Sequence, residues 1–508
     1  MILGDPGETA AATTPGARAT LDDLFRRAAQ RNPDTPALVD PPNRAQFTDG
    51  VARTLTYAQA DRMISAIAER LDKLRLPIDA IVGIQLPNTV ESVLALLGVL
   101  RAGLVAAPLP LLWRRSELVS GLSRIGAKAL IGCRQVGATD HATLAMQTAA
   151  DVFHIRYVGG FGTDLPEGVV PFDNLYHAEN PQPPLLKRAS AGNRAAHLAL
   201  ITWETTAESI VPVARSHAEI VSAGLAMLFE GRFENGATFL STVPPTSFAG
   251  LATAVLPWLI TGGTLMLHQP FDPETLVQQL REGCDAIVLP AAVAHRLLEA
   301  DLFTSHVRTV IGLWRAPERM NRALQWPPSS TGFIDVACFG ESCIVPMRRG
   351  DNGAVTPLPL GVVTAPLHAT GRAVITAELA RSATGTLTVS GPMVPRHAYP
   401  PGAARTELPH FKTKDGIVDT GHPCRINEQL RTLTLTGPPP GIAGVGGYRF
   451  ALRDLQRVVS DIDHDSRIAA LPDQLSGHRL TGAAADRAAL RTALIRKGAN
   501  PLVADAFA

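Results

Sequence analysis

Between Thr20 and Cys133 the hydrophobic period switches repeatedly between that of a helix and that of a strand, and few folds accommodate such a pattern. Leu21 to Gln30 is amphipathic at helical spacing, Leu55–Thr56–Tyr57 opens a second helix reaching about Leu71, and Ala80 to Gln85 is a short apolar strand. Helical spacing returns from Glu91 to Arg101, followed by strand over Leu104–Ala107, helix over Ser116–Ile125 and strand over Ala129–Ile131. Strands joined by crossover helices run in the same direction, so the alternation predicts an α/β fold with a parallel, helix-covered sheet.

A second alternating stretch carries strands near His197–Thr202, Thr238–Thr242, Thr264–His268 and Ala286–Leu289, with helices such as Pro273–Arg281 between them. Residues 150–196 are richer in Pro and Gly, include PQPP at 181–184, and read as a connection between subdomains. Short β runs and turns dominate from Gly350 to about Gly437. After the Pro-rich TGPPPG at 436–441, helices are expected near Leu452–Ile462 and Arg487–Lys497. The expected division is a large α/β domain over 1–430 and a short α+β C-terminal domain over 431–508.

Charge narrows the range of partners. Lys+Arg at 47 against Asp+Glu at 46 leaves a net charge of +1, without the basic footprint of a nucleic-acid binder. The most apolar stretch, Val93 to Trp113, is interrupted by Arg101, Pro108 and Pro110. It falls short of the roughly 20 apolar residues of a membrane span and reads as a buried helix followed by a buried strand. The opening residues MILGDPGETAAATTPGARAT lack the basic start and apolar run of a secretory signal. Five cysteines, at 133, 284, 338, 343 and 424, form no Cys-x-x-Cys, which implies reduced buried thiols, no metal site and a cytoplasmic protein.

The stretch LTYAQADRMISAIAERLDKL at 55–74 is followed by IVGIQLPNTVESVLALLGVLRAGLVAAPLP at 81–110. Later come ITWETT at 201–206, FGESC at 339–343, DGIVDTGH at 415–422 and GVGGYRFALRDLQ at 444–456. In this order the segments resemble the adenylate-forming (AMP-binding) superfamily, which includes the acyl-CoA synthetases, over about residues 20 to 490. The resemblance implies a large N-terminal domain, a small C-terminal one, and activation of a carboxylate by ATP. Such chemistry sets a triphosphate against the protein, which requires small residues, backbone N–H donors and a cation.

Against that requirement the motifs depart one after another. A family loop of the type Thr-Ser-Gly-Thr-Thr-Gly-x-Pro-Lys becomes Thr202–Trp203–Glu204–Thr205–Thr206–Ala207–Glu208–Ser209–Ile210, which keeps Thr205 and Thr206 but loses both glycines and the lysine. Glu204 and Glu208 bring carboxylates toward the expected phosphate, where one like-charge contact near 4 Å costs about 4 kcal/mol at an effective dielectric near 20. Gly340 and Ser342 survive from an aromatic-Gly-x-Thr-Glu segment, but Cys343 stands where the magnesium carboxylate belongs, and Glu341 lies two residues early. Trp314–Arg315–Ala316–Pro317 replaces Gly-Gly-Ala-Pro against the adenine, so Trp314 and Arg315 are expected to fill that slot. Thr420–Gly421–His422 replaces Thr-Gly-Asp at the ribose, and Gly437–Pro438 replaces Gly-Arg.

The terminal Gly-Lys motif has no counterpart; Lys497, 11 residues before the end, and Arg215 are the only cationic surrogates. Gly446 and Gly447 match a Gly-Gly segment that the resemblance links to a CoA-accepting arrangement, and Phe248, Gly250 and Phe339 are the expected lining of an acyl groove. Gly340–Glu341–Ser342 lacks the second glycine of a nucleophile elbow, so no hydrolase is expected. The reading that follows is an acyl-CoA synthetase-like protein with lost or altered carboxylate activation, which binds an acyl group, acyl-CoA or a protein partner. Its alternative is an active, divergent acyl-CoA ligase using ATP, Mg and CoA.

Overall fold

Side-chain capping sets where the helices begin. In the computed structural model, which describes residues 1–3, 18–183, 193–304, 306–322, 324–327, 331–367 and 372–508, Thr20 and Asp23 exchange hydrogen bonds at the start of helix Leu21–Arg31. Thr56 and Gln59 do the same for Tyr57–Lys73, and Ser216 and Glu219 for His217–Gly231. Leu55 and Thr56, read from the sequence as a helix start, instead belong to strand Thr54–Thr56, whose last residue caps the helix.

The first alternating stretch builds a seven-stranded sheet in the order Ile210–Ser216, Leu198–Thr205, Val105–Pro108, Ile81–Ile84, Ala129–Cys133, Tyr157–Phe161, Val169–Pro171. Every neighbouring pair is parallel except the hairpin of the first two strands. All twelve residues of helix Val90–Arg101 are buried, as the apolar run requires. Two strands lie inside the expected connection 150–196; residues 184–192 of that stretch are outside the described residues. The sequence conceals Tyr157–Phe161 because Gly159 and Gly160 interrupt its β signal.

The second sheet has eight strands, Cys343–Arg348, Gly332–Phe339, Thr309–Trp314, Ala286–Pro290, Thr238–Ser241, Thr264–Leu267, Pro36–Val39 and Thr54–Thr56, antiparallel only at its two edges. A six-stranded antiparallel sheet follows over 358–435, and a four-stranded one over 442–483. The expected division at 430/431 falls within a paired hairpin, Asn427 opposite Thr432 and Cys424 opposite Leu435, whereas the last sheet begins at Ile442. That sheet and helices Leu452–Ser460 and Arg487–Arg496 have an apolar cluster of their own, centred on Phe450, Leu455, Leu494 and Phe507. All five cysteines are buried and free, and no helix among the described residues is long and apolar enough to cross a membrane.

One charged clasp joins the early helices. Arg101, 1% exposed, pairs with Asp22 at 2.8 Å and Asp61 at 2.7 Å and donates to the Ser65 hydroxyl at 2.7 Å. Replacing Asp22 by Ala leaves a buried guanidinium short of one partner. Urea unfolding of Asp22→Ala is expected to show a loss of about 3 kcal/mol.

Candidate functional site

The segment expected as a Thr-rich loop is a β-hairpin. Thr202 lies opposite Val213, Trp203 opposite Pro212 and Glu204 opposite Val211, which leaves only residues 206–209 as the turn. Thr206 closes it: its hydroxyl donates to the Ser209 carbonyl at 2.8 Å and accepts the N–H groups of Glu208 and Ser209. Extended backbone puts successive side chains on opposite faces, so Trp203 packs on Trp113 at 4.9 Å while Glu204 turns the other way. Glu208 is exposed on the turn.

Glu204 is the centre of the site. Its carboxylate accepts the backbone N–H of Glu341 and pairs with Arg449 at 3.1 Å. Burial raises its pKa above the ordinary carboxylate range, Arg449 opposing the shift. The backbone of Gly340 makes room for it: φ is +58°, and a Cβ there would lie 2.0 Å from Glu204 Oε2. Gly340 is thus retained by a carboxylate of the same chain.

Arg449 arrives from the last sheet. Gly446 and Gly447, at φ +57° and +88°, form the two-residue turn between Ile442–Val445 and Tyr448–Ala451. Alternation beyond the turn places Tyr448 and Phe450 together, rings 4.7 Å apart, with Arg449 between them on the opposite face. The Arg449 carbonyl also accepts the Thr205 hydroxyl at 3.3 Å.

Arg215 is not the solvated loop residue that its sequence position suggests. It is 1% exposed, its guanidinium lies 3.8 Å over the Phe248 ring, and it donates to the Thr202 hydroxyl and the Ser342 carbonyl, both at 3.3 Å. Burial brings its pKa down to about 10, and Glu341 is the first of the neighbouring anions that oppose this. Glu341 accepts the Phe248 N–H at 2.8 Å, at the start of the short helix Phe248–Gly250. Gly250 is held by packing, since a Cβ there would lie 2.3 Å from the Pro244 carbonyl oxygen. Burial pushes the Cys338 and Cys343 thiols up to about 11 and about 12.

His422 closes the cluster from the six-stranded sheet. Its ring stands edge-on to Phe339 at 5.6 Å and Nδ1 meets the Thr420 hydroxyl at 3.1 Å, while Nε2 has no hydrogen-bond partner among the described residues. Burial first, then Arg449, lowers its pKa to about 3, so the ring is neutral. Gly421, at φ +71°, packs on Pro439. Trp314, expected to fill a nucleotide slot, turns into the core because Asp335 accepts its indole N–H at 2.7 Å. Arg315 does lie at the junction, donating to the Ser247 hydroxyl and lying along Gly447. Lys497 is elsewhere: it caps helix Arg487–Arg496 and donates to the Asp461 carbonyl at 3.3 Å.

The structure therefore gathers Thr205, Arg215, Phe248, Phe339, Gly340, Ser342, His422 and Gly447 around Glu204, and leaves Lys497 and the Thr206 turn outside. Sequence reasoning overlooked Arg449, although the Gly446–Gly447 turn with alternating Tyr448 and Phe450 already marked it as the odd face. Among the described residues no group of three or more His, Cys, Asp and Glu is placed to hold a metal ion.

Comparison with known proteins adds to this geometry. The family model described as AMP-binding enzyme matches residues 25–396. A CoA ligase of Mycobacterium tuberculosis acting on a 7a-methyl-dioxo-octahydroindenyl propanoate is 25% identical over 90% of this chain and 86% of its own length. The human long-chain fatty acid transport protein 1 is 33% identical over 34% of this chain, and the beauvericin cyclodepsipeptide synthetase of Gibberella fujikuroi 29% identical over 22%. The chain spans only 24% and 3% of those two proteins. In fold it is similar to the apo structure of Mycobacterium smegmatis MbtA, with a TM-score of 0.67 at 21% identity over 98% of this chain and 93% of that one. It is also similar to the amide bond synthetase McbA of Marinactinospora thermotolerans, at 0.68 and 18% identity over 94% of each chain.

Removing either partner of the Glu204–Arg449 pair strands a largely but not fully buried charge. Glu204→Ala and Arg449→Ala are each expected to lower the unfolding free energy by about 3 kcal/mol, and the double variant by clearly less than the sum, in a double-mutant cycle. His422 sets a pH dependence. The unfolded ring titrates near 6.5 and the folded one near 3, so the unfolded chain takes up the proton first. Its contribution is complete above the unfolded value and falls as pH drops toward the folded one, by about 2 kcal/mol at pH 5. Urea midpoints between pH 7 and 5 are expected to fall less steeply in His422→Gln than in the parent.

Proposed function

Since this chain belongs to the AMP-binding enzyme family, we propose that it is an acyl-CoA ligase-like member that has given up ATP-dependent carboxylate activation by the family route and acts by binding an acyl group, acyl-CoA or a protein partner. The observation that carries this reading is the Glu204 carboxylate. A triphosphate needs backbone N–H groups and a cation, and Glu204 has already taken the Glu341 N–H and the Arg449 guanidinium. Residues 202–205 are paired in a strand rather than held in an open loop.

The chain's residues do not fit ATP or magnesium in the expected manner. Cys343 is a buried thiol held protonated, a poor ligand for a hard cation that demands oxygen. His422 is neutral and offers a ribose no charge. Each such loss alone removes about 10² to 10³ in rate where a transition-state donor is involved, and here they coincide. Phe248 and Phe339, buried beside Arg215 and His422, are the candidates for the apolar wall of an acyl groove.

A second reading, an active and divergent ligase, draws on the lengthwise similarity to the mycobacterial CoA ligase and on the buried cation Arg215. Carboxylate-dependent exchange of pyrophosphate into ATP separates the two. The expected result is no exchange with any carboxylate of a broad panel, together with a rise in melting temperature on adding acyl-CoA but not ATP·Mg. Exchange that is abolished in Arg215→Ala or Lys497→Ala would establish the second reading instead.

A further inference from the structure

The first sheet has a crevice that the Glu204 cluster does not use. Ile81–Ile84 has Val105–Pro108 on one side and Ala129–Cys133 on the other, so the chain leaves this strand first one way and then the opposite way. Beyond the carboxyl ends of such strands the connections diverge and leave a crevice, the usual ligand position in a parallel α/β sheet. Here a cavity of about 180 Å³ lies at that point. Leu86 and Thr89 follow the central strand into it, Cys133 ends the next, and Phe161 the one after.

Its wall carries more negative than positive charge. Glu91, Asp49 and Asp173 stand against Arg44 and Arg53, and Asp40 lies directly behind Arg44. Three wall carboxylates less two guanidiniums give −1, and Asp40 makes the group −2. The potential registers on the neighbouring thiol: burial pushes Cys133 up, and Asp49 and Glu91 push it further.

Glu91 is the unfinished member. It is 1% exposed, yet everything that reaches it reaches one oxygen. Oε1 accepts the Tyr176 hydroxyl at 2.8 Å, pairs with Arg44 at 2.9 Å and lies 4.0 Å from Arg53. Oε2 has no hydrogen-bond partner among the described residues. A buried carboxylate oxygen without a donor is expensive, so its missing partner must supply a hydrogen, and the net negative wall favours one that also carries positive charge. Asp49 is held on the rim, its Oδ2 accepting the Thr163 N–H at 2.6 Å. Gly162, at φ +117°, permits this, since a Cβ there would lie 2.5 Å from the same oxygen.

We propose that this crevice binds a small primary ammonium ion, with its head between Glu91 and Asp49 and its carbon body against Leu86, Pro87 and Phe161. An ammonium group supplies the donors and the charge that the wall lacks, and the apolar residues exclude water from a short alkyl chain. No metal fits the same place, because no three ligating side chains among the described residues converge.

The test is calorimetric titration of the full chain with n-butylammonium chloride, with 1-butanol, sodium butyrate and sodium chloride as controls at equal concentration. Saturable one-to-one binding is expected for butylammonium alone, accompanied by a higher melting temperature. Asp49→Asn, which leaves the buried network intact, is expected to weaken binding about tenfold, as loss of one charge-assisted contact implies. Glu91→Gln is expected to abolish it. Absence of saturable binding, equal binding of 1-butanol, or undiminished binding by Asp49→Asn would each overturn the proposal, even where Glu91→Gln fails to fold.

Discussion

A carboxylate buried without compensation is several kilocalories per mole less stable than one in water, and the arrangement around Glu204 follows from that constraint. Its partners come from two separate parts of the chain: the Glu341 N–H with the space over Gly340 beside it, and the Arg449 guanidinium. Each demands its own local geometry. Gly340 must hold a left-handed backbone, Arg449 must follow a two-residue glycine turn, and the hairpin must keep the register that turns Glu204 toward Gly340 and Trp203 toward Trp113.

The same pair fastens the last sheet to the large α/β domain. Thr205 donates to the Arg449 carbonyl, Arg449 reaches the Arg315 carbonyl at 3.5 Å, and Arg319 donates to the Gln474 carbonyl at 3.0 Å. Any different placement of the C-terminal unit must first separate this ion pair.

The ammonium crevice makes an instructive contrast. Both oxygens of Glu204 have an internal donor, whereas the second oxygen of Glu91 is left without one among the described residues. Both lie at strand ends of the α/β domain, one at the edge hairpin of the first sheet and one at its central switch point. Polar saturation, more than concavity, distinguishes the two.

Much of this was legible in the sequence. Hydrophobic periodicity missed strand Pro36–Val39 but located the helices from Leu21 to Ile125 and the strands from Ile81 to Cys133 to within a few residues, because it reports which faces must leave water, a property of each segment by itself. The motif departures at Glu204, Cys343, Gly437 and His422 were equally visible, since they need only residue identity. What the sequence left open was which side chains meet. Arg215 read as a surface arginine and is instead buried on Phe248; Trp314 read as a plug and instead donates to Asp335; the Thr-rich loop became a strand because Val211 and Val213 pair across from it. Those outcomes depend on partners tens of residues away or on the register of a ladder. Only the folded chain, which brings Arg449 within 3.1 Å of Glu204, decides them.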